Sequence, residues 1–279
     1  MKKCMMTLAV MLVILFSFSM IAVAKTYDVV LIHGLTNKHQ WSDAFLNQIA
    51  ATWGSGNVYV IFTNESTRVW TRTINGRVIY FCGENDFSAG DDTISVQSSL
   101  MNQKIELLRA SYGLSYNFNI IAHSMGGLVS RHYIAGHAYR VAGLVTLGTP
   151  HLGSQLANNF EWAGFFVGAT AAIGNLNTSW VQNTFNVAYP ISGARLYSGG
   201  TITTIEGDAD GWDCWGWGGE LQLGWDWLTT FYWKDSDGLV PSGYARISGT
   251  VAGPKFSSYD HMELVTKADV ASSAASYLR

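Results

Sequence analysis

The stretch IAHSMGG at residues 121–127 places Ser124 where an apolar run ends and an amphipathic one begins. A serine hydroxyl is a poor nucleophile at neutral pH, so a hydrolase presents it exposed, beside a base and near donors that hold an oxyanion. A sharp turn from a strand into a helix does this if the side chains two before and two after the serine are small. Ala122 and Gly126 meet that demand. The stretch therefore predicts a nucleophilic serine; the alternative is a tight turn with a non-catalytic hydroxyl.

Two further motifs accompany the serine, LIHGL at 31–35 and GTPHLGS at 148–154. In this order the three motifs resemble those of secreted bacterial lipases of the α/β-hydrolase superfamily. The resemblance extends from about Val29 to the C-terminal helix, although Ala122 stands where the first glycine of G-x-S-x-G is usual. It implies an α/β-hydrolase fold, in which a mostly parallel central sheet is flanked by helices.

The resemblance also implies an oxyanion hole formed by main-chain groups. In the family, the residue after the His-Gly pair and the residue after the nucleophile each turn an N–H toward the substrate carbonyl. These residues are Leu35 and Met125. We interpret His33 as structural, holding this loop by hydrogen bonds, rather than as a base or a metal ligand.

The catalytic base should come late in the chain, because this fold runs serine, acid, histidine. Of the seven histidines, only His261 lies near the end, immediately before a helical pattern that continues to Leu278. The alternative is a surface histidine near a helix start that Asp260 and Glu263 cap.

The acid is implied by the stretch KDSDGLVP at 234–241, which resembles the acid loop of these lipases. There the aspartate directly before Gly-Leu-Val-Pro orients the histidine, and that residue is Asp237. Asp235, Asp208 and Asp210 remain alternatives, because the acid can migrate between strands in this fold.

The elements that must position these residues alternate along the chain. Short branched apolar runs predict buried strands, and amphipathic stretches between them predict helices, as in a parallel sheet covered on both faces. The predicted strands are 29–32, 58–62, 119–122, 143–147 and 201–205, and the predicted helices are 42–52, 92–112 and 126–137.

Three segments depart from this rhythm. Asn75-Gly76 between β-prone arms predicts a type I′ hairpin, which makes residues 66–90 an excursion from the sheet. Residues 156–190 are rich in Ala, Gly, Phe and Trp, and in similar lipases this region is a lid; an apolar helix that completes the core is the alternative. Residues 211–233 hold six of the 11 tryptophans and suit a lipid interface, stacking on sugar or aromatic esters, or packing of a loop.

The N-terminus has the order of a secretory signal peptide: Lys2 and Lys3, an apolar stretch, then Ala22-Val23-Ala24. We expect cleavage near Ala24, secretion, and a single α/β-hydrolase domain over 25–279; an uncleaved anchor is the alternative. The net charge is −3, and removal of the two lysines makes it more negative, which argues against nucleic acid as a partner.

Cysteine and carboxylate positions raise two further questions. Cys82 and Cys214 would remain in an exported protein and form a plausible disulfide, with two unpaired buried thiols as the alternative. The resemblance implies that a structural calcium ion could be present, as in some similar secreted lipases, with oxygen ligands from four acidic side chains; no EF-hand spacing appears, and we assign no metal or cofactor. These four are Asp208, Asp210, Asp213 and Glu263.

The sequence thus predicts a serine carboxylic-ester hydrolase that works through Ser124, Asp237 and His261 and an acyl-enzyme. We expect a triacylglycerol lipase whose substrate lies at a lipid–water interface. A short-chain esterase or a phospholipase would use the same triad, and a noncatalytic surface- or carbohydrate-binding module on a hydrolase fold is the alternative from another class.

Overall fold

The computed structural model describes residues 25–37, 40–158, 169–209, 211 and 219–279. Several sequence predictions concern residues outside these ranges, namely the signal peptide at 1–24, the middle of the predicted lid at 159–168, Asp210, Asp213 and Cys214.

The described chain builds an eight-stranded sheet. Its order is β3-β4-β2-β1-β5-β6-β7-β8, and every neighbouring pair is parallel except β3 and β4. This confirms the predicted mostly parallel sheet. The strands are β1 Asp28–Ile32, β2 Val58–Ile61, β3 Val69–Ile74, β4 Arg77–Cys82, β5 Phe118–His123, β6 Val141–Leu147, β7 Ile202–Asp208 and β8 Val251–Ser257.

Helices cover the sheet, and local capping explains where the first two begin. Ser42 and Thr93 precede α1 and α2, and each hydroxyl accepts a hydrogen bond from a main-chain N–H three residues later. No helix among the described residues is long and apolar enough to span a bilayer. The helices are α1 Asp43–Thr52, α2 Ile94–Ser111, α3 Met125–His137, α4 Thr170–Gly174, α5 Thr178–Trp180, α6 Asn186–Ala188, α7 Glu220–Tyr232 and α8 Ala268–Ser276, with a π-helical turn, Val181–Phe185, between α5 and α6.

The central strands are buried on both faces, which is why their sequences are continuously apolar. In β1, Val29 and Leu31 face one core, with α1 and α8, whereas Val30 and Ile32 face the other, with α2 and α3. All five residues of β1 are fully buried.

The hairpin is present, but it does not leave the sheet as predicted. Asn75 and Gly76 have φ of 51° and 72°, as a type I′ turn requires, and β3 pairs antiparallel with β4. However, β4 also pairs in parallel with β2, with Val58 opposite Ile79. The prediction of an excursion is therefore wrong, because the hairpin continues the sheet and forms its edge.

The chain order places the chemistry at one edge of the sheet. β1 and β5 are neighbours, and the chain runs from β1 toward β2 on one side but from β5 toward β6 on the other. Ligand sites of open α/β sheets lie at the carboxyl ends of strands at such a switch point. His33 follows β1 and Ser124 follows β5 at this point.

Candidate active site

Ser124 occupies a sharp turn between β5 and α3. Its φ of 52° and ψ of −131° are outside the regions that a residue with a side chain ordinarily adopts. The turn is held by two bonds, from the Ser124 N–H to the carbonyl of Leu147 at 2.8 Å and from the Thr149 hydroxyl to the carbonyl of Ser124 at 2.8 Å. This is the strand–turn–helix geometry that the sequence predicted.

Glycines let other backbone segments approach this turn closely. A Cβ at Gly126 would lie 2.2 Å from the carbonyl oxygen of His33, and one at Gly127 would lie 2.1 Å from the Thr149 hydroxyl. A Cβ at Gly34 would lie 2.5 Å from Cβ of Ser124 itself. Small residues are thus required after the serine, as predicted for position 126, and in the facing loop at position 34.

His261 and Asp237 form a buried pair. Nδ1 of His261 lies 2.7 Å from Oδ2 of Asp237, and both side chains are 1% exposed. The other oxygen of Asp237 accepts hydrogen bonds from the N–H groups of Leu239 and Val240, at 3.0 and 2.7 Å. Because Nδ1 donates to the carboxylate, Nε2 of a neutral His261 carries the lone pair that accepts a proton.

The alternative acids are placed elsewhere. Asp235 is exposed, and its carbonyl accepts a hydrogen bond from Ser242. Asp208, at the end of β7, forms an ion pair with Lys255. Asp237 is thus the acid that the fold brings to His261, and Asp210 lies outside the described residues.

Gly148 lies directly against the Asp237–His261 pair, a contact that the sequence motif did not reveal. It follows β6 with φ of 55°, a conformation that favours glycine. A Cβ there would lie 3.0 Å from Oδ2 of Asp237, 3.2 Å from Nδ1 of His261 and 2.8 Å from a methyl group of Leu264.

Ser124 and His261 border the same cavity. The ring of His261 lies 4.5 Å, between centroids, from the ring of His123, the residue before the serine. Nε2 of His261 is buried and takes no hydrogen bond from any residue that the structure describes. The rest of the cavity wall is mostly apolar and includes Leu35, Pro150, Leu156, Ala157, Ile173, Leu176, Leu239 and Val240.

The two predicted oxyanion donors lie on either side of the serine. Met125 is the first residue of α3, where a main-chain N–H has no acceptor within the helix. Leu35 follows Gly34 in a 3₁₀ turn, Leu35–Asn37, and borders the cavity. Among the described residues, neither the Leu35 nor the Met125 N–H has a main-chain acceptor in a neighbouring loop, which is consistent with their predicted role as oxyanion donors.

His33 has the structural environment that the sequence predicted. It is fully buried, Nδ1 lies 2.7 Å from the carbonyl of Gly34, and Nε2 accepts a hydrogen bond from the Thr63 N–H at 2.9 Å. Burial lowers the pKa of His33 to about 4, so the ring is neutral at pH 7.

Comparison with known proteins gives the wider relationship. The model of the palmitoyl protein thioesterase family matches residues 28–189, which is more than half of the chain. The chain belongs to this family. The matched range contains Ser124, both predicted oxyanion donors and the GTPHLGS loop.

Individual relatives agree with this assignment. Triacylglycerol lipases of Pseudarthrobacter phenanthrenivorans and Burkholderia plantarii are each 28% identical over 135 residues, 48% of this chain. The match covers only 36% and 32% of those two lipases, about a third of their length.

Solved structures share the fold. The mature Bacillus licheniformis lipase BlEst2 aligns with a TM-score of 0.60 at 22% identity, covering 87% of each chain. A gene product of Listeria innocua aligns with a TM-score of 0.52 at 15% identity, covering 89% of this chain and 92% of its own. The α/β-hydrolase fold is thereby confirmed.

In this member of the family, the described part of the predicted lid is tied to the body of the protein. The side chain of Asn175 accepts a hydrogen bond from the Ile94 N–H at the start of α2, at 2.9 Å. The carbonyl of Tyr189 accepts one from the buried Arg131 of α3, at 2.8 Å. Of residues 169–190, Ile173 and Leu176 border the cavity; a lid motion stays a prediction.

The predicted tryptophan-rich insertion contains a helix. α7 packs Gly224 against the loop of the acid, since a Cβ there would lie 2.0 Å from the carbonyl of Gly238. Its outer side carries Leu223, Trp227 and Phe231 at intervals of four residues, which is one face of a helix.

The disulfide and calcium questions are only partly answered. Cys82 is a buried free thiol, and its predicted partner Cys214 lies outside the described residues. Of the four predicted calcium ligands, Asp208 pairs with Lys255 and Glu263 pairs with Lys267 at 2.8 Å. Among described residues, no group of three or more metal-ligating side chains is found.

Proposed function

We propose that the protein is a secreted serine hydrolase of carboxylic esters, and specifically a triacylglycerol lipase. The observation that carries the proposal is the pair of Asp237 and His261, 2.7 Å apart, beside a cavity that Ser124 also borders. Family membership and lipase relatives support the same chemical class.

In the proposed acylation step, the Ser124 hydroxyl attacks the ester carbonyl carbon while Nε2 of His261 takes its proton. Asp237 accepts the hydrogen bond from the Nδ1–H group and stabilises the imidazolium. The carbonyl oxygen becomes an oxyanion that the N–H groups of Leu35 and Met125 bind. When the tetrahedral intermediate collapses, the carbon–oxygen bond to the alcohol breaks and His261 returns the proton to that oxygen.

Deacylation repeats these steps with water. His261 takes a proton from the water as its oxygen attacks the acyl carbon, and the same N–H groups bind the second oxyanion. Collapse releases a carboxylic acid, and His261 returns the proton to Ser124.

Covalent labelling tests the nucleophile and the rival noncatalytic module together. A fluorophosphonate probe should label the wild-type protein and not Ser124→Ala. Ser99→Ala, an exposed serine on α2, is the matched control and should label fully. Full labelling of Ser124→Ala would remove the proposed nucleophile.

The acyl-side specificity follows from the cavity wall. Its apolar side chains, among them Leu156, Leu176 and Leu239, would gain about 25 cal/mol for each Å² of acyl chain surface removed from water. We therefore expect the rate of nitrophenyl ester hydrolysis to rise with acyl chain length, both below and above the concentration at which the long esters form droplets. A rate that falls with chain length would favour the short-chain esterase.

A second candidate function is hydrolysis of long-chain acyl thioesters, which the family match favours. A thioester passes through the same acyl-enzyme, so the site as described suits it. Parallel assays with a palmitoyl thioester and a palmitoyl ester of an aliphatic alcohol, at equal concentration, would rank the two substrates by kcat/KM.

We further propose that α7 binds the surface of neutral lipid. Leu223 is 52% exposed, Phe231 64% and Trp233 89%, and large apolar side chains exposed together are typical of interaction sites. The opposite side of α7, at Gly224, lies against Leu156, which borders the cavity, so the helix itself adjoins the active site.

Exposed aromatic residues can be removed to test this binding. The double variant Phe231→Ser, Trp233→Ser should lose most hydrolysis of emulsified triglyceride and keep hydrolysis of a soluble short ester. Val187→Ser removes an apolar side chain that is 73% exposed elsewhere and should keep both. Equal loss on both substrates would contradict a role in lipid binding.

Export is part of the proposal and rests on the charged, apolar and small-residue order of residues 1–24. Expression with a secretion-competent host should yield an extracytoplasmic protein whose N-terminal residue is Lys25. Recovery of the protein with Met1 intact in the membrane fraction would favour the uncleaved anchor.

A further inference from the structure

His123 contacts two of the loops that form the active site. The side chain is 1% exposed. Its Nδ1 lies 2.9 Å from Oε1 of Gln40, and its Nε2 lies 2.9 Å from the main-chain carbonyl of His261. Because His123 directly precedes Ser124, these contacts join the nucleophile turn to two loops. One is the loop of Gly34 and Leu35, here called the oxyanion loop, which is reached through Gln40; the other is the loop of His261, here called the histidine loop.

Gln40 holds the oxyanion loop from both sides of its donor. Oε1 of Gln40 accepts the Gly34 N–H at 2.7 Å, and Nε2 donates to the carbonyl of Leu35 at 3.4 Å. The proposed donor, the N–H of Leu35, lies between these two groups along the chain. Loss of the Gln40 contacts would therefore free the donor to rotate away from the substrate oxygen.

Neutral His123 has only one N–H group for its two partners, Gln40 and the carbonyl of His261. Burial, together with the neighbouring His261 ring, lowers the pKa of His123 well below its usual value. A neutral imidazole donates from only one nitrogen. The ring therefore donates either to Gln40 or to the carbonyl of His261, and the tautomer determines which loop it holds more firmly.

We infer that His123 is a positioning residue, which with Gln40 aligns the Leu35 N–H and His261 on the reacting carbonyl. This inference rests on the proposed hydrolase function. A buried histidine can also serve packing alone, in which case its loss would lower stability and leave the turnover of the folded enzyme unchanged.

The test uses variants that keep volume and remove the hydrogen bonds. His123→Phe and Gln40→Met should each lower kcat by about 10- to 100-fold, because small misplacements of reacting groups have effects of this size. Both residues also line the cavity, but its apolar side chains, among them Leu156, Leu176 and Leu239, are unchanged in these variants, so KM should change less than about 3-fold. The conservative His123→Gln, which retains a donor and an acceptor, should recover part of kcat.

Coupling distinguishes positioning from packing. If the two residues act as one unit, the double variant should lose about as much kcat as one single variant, instead of the product of both losses. Multiplicative losses, or a folded His123→Phe enzyme with kcat within about 2-fold of wild type, would overturn the inference.

Hydrogen exchange gives a readout without turnover. In His123→Phe, amide exchange should rise in the segments around Leu35 and His261, because both loops lose a contact. His132→Phe changes a ring on α3 that lies 4.6 Å, between centroids, from the ring of Tyr189; it is the control and should leave both segments unchanged. Unchanged exchange in His123→Phe would overturn the inference even if the wild-type protein hydrolyses no ester, which would defeat the proposed function separately.

Discussion

Asp237 and His261 are joined twice. The carboxylate of Asp237 lies 2.7 Å from Nδ1 of His261, and the main-chain N–H of His261 donates to the carbonyl of Asp237 at 2.8 Å. The side-chain contact fixes the tautomer of the imidazole, and the main-chain contact fixes the position of its loop. The pair is therefore preorganised before a substrate arrives.

Asp237→Asn should lower kcat by about 10⁴-fold, the loss seen when a triad aspartate becomes asparagine and the histidine takes the wrong tautomer. The fold should tolerate the change, since the asparagine oxygen can still accept the N–H groups of Leu239 and Val240. Ester turnover and thermal unfolding of the purified variant measure the two effects.

The chain offers a matched control for this variant. Asp235→Asn makes the same chemical change two residues earlier, at an exposed side chain, and should keep full activity. Loss of activity in Asp235→Asn, with activity retained in Asp237→Asn, would show that the assignment of the acid is wrong.

Gly34→Ala should slow covalent labelling of Ser124 by at least about 10-fold. The new Cβ would lie 2.5 Å from Cβ and 3.1 Å from Oγ of the serine, a distance that requires the oxyanion loop or the nucleophile to move. The labelling rate with a fluorophosphonate measures this directly. Gly193→Ala, where a Cβ meets nothing within 4 Å, should label at the wild-type rate, and equal rates in both variants would contradict the prediction.

Motifs and apolar runs predicted much of the molecule. The central strands β1, β2, β5 and β6 each coincide with a predicted run to within a few residues, because a strand buried on both faces must be apolar throughout. The strand–turn–helix around Ser124 followed from the need for small neighbours, and the structure shows the crowding that imposes it.

Elements without such a signal were missed. β8 contains Gly253 and Pro254, which are unusual within strands. The proline is tolerated because β8 is at the sheet edge, where a missing N–H donor costs little. α7 contains Gly224 and four aromatic residues, so its helical period is hard to recognise. The acid loop lies directly against Gly224, which leaves no room for a side chain there. The parallel pairing of β4 with β2 depends on chain packing that no local pattern encodes.

The role of His123 was also absent from the sequence prediction. A histidine before a nucleophilic serine has no sequence mark of its own. Its partners, Gln40 and His261, lie 83 and 138 residues away along the chain. Only the fold shows that the three meet.

The leaving group should decide how much His261 contributes to acylation. An aliphatic alcohol is a far weaker acid than a thiol, so it needs the proton that His261 returns, whereas a thiol with a pKa of about 8.5 leaves as a thiolate. We expect His261→Ala to lower kcat/KM more for a palmitoyl oxyester than for the matching thioester. Equal losses would show that His261 acts only as the base toward Ser124.

Acid should destabilise the folded protein because buried histidines are kept neutral. Burial lowers the pKa of His33 to about 4 and those of His123 and His151 well below the usual 6.5. Between pH 6.5 and about 4 the unfolded chain binds a proton at His33 that the folded protein does not. The unfolding free energy should therefore be undiminished above pH 6.5 and should decrease as the pH falls from 6.5 to about 4.

The contribution of His33 can be isolated by chemical unfolding of wild type and His33→Gln at several values between pH 7 and pH 4. The glutamine does not titrate but can still donate to Gly34 and accept from Thr63, the partners of His33. The slope of unfolding free energy against pH should become shallower in the variant by up to about 1.4 kcal/mol per pH unit, the value for one proton. Identical slopes would mean that His33 binds a proton in the folded protein as readily as in the unfolded chain.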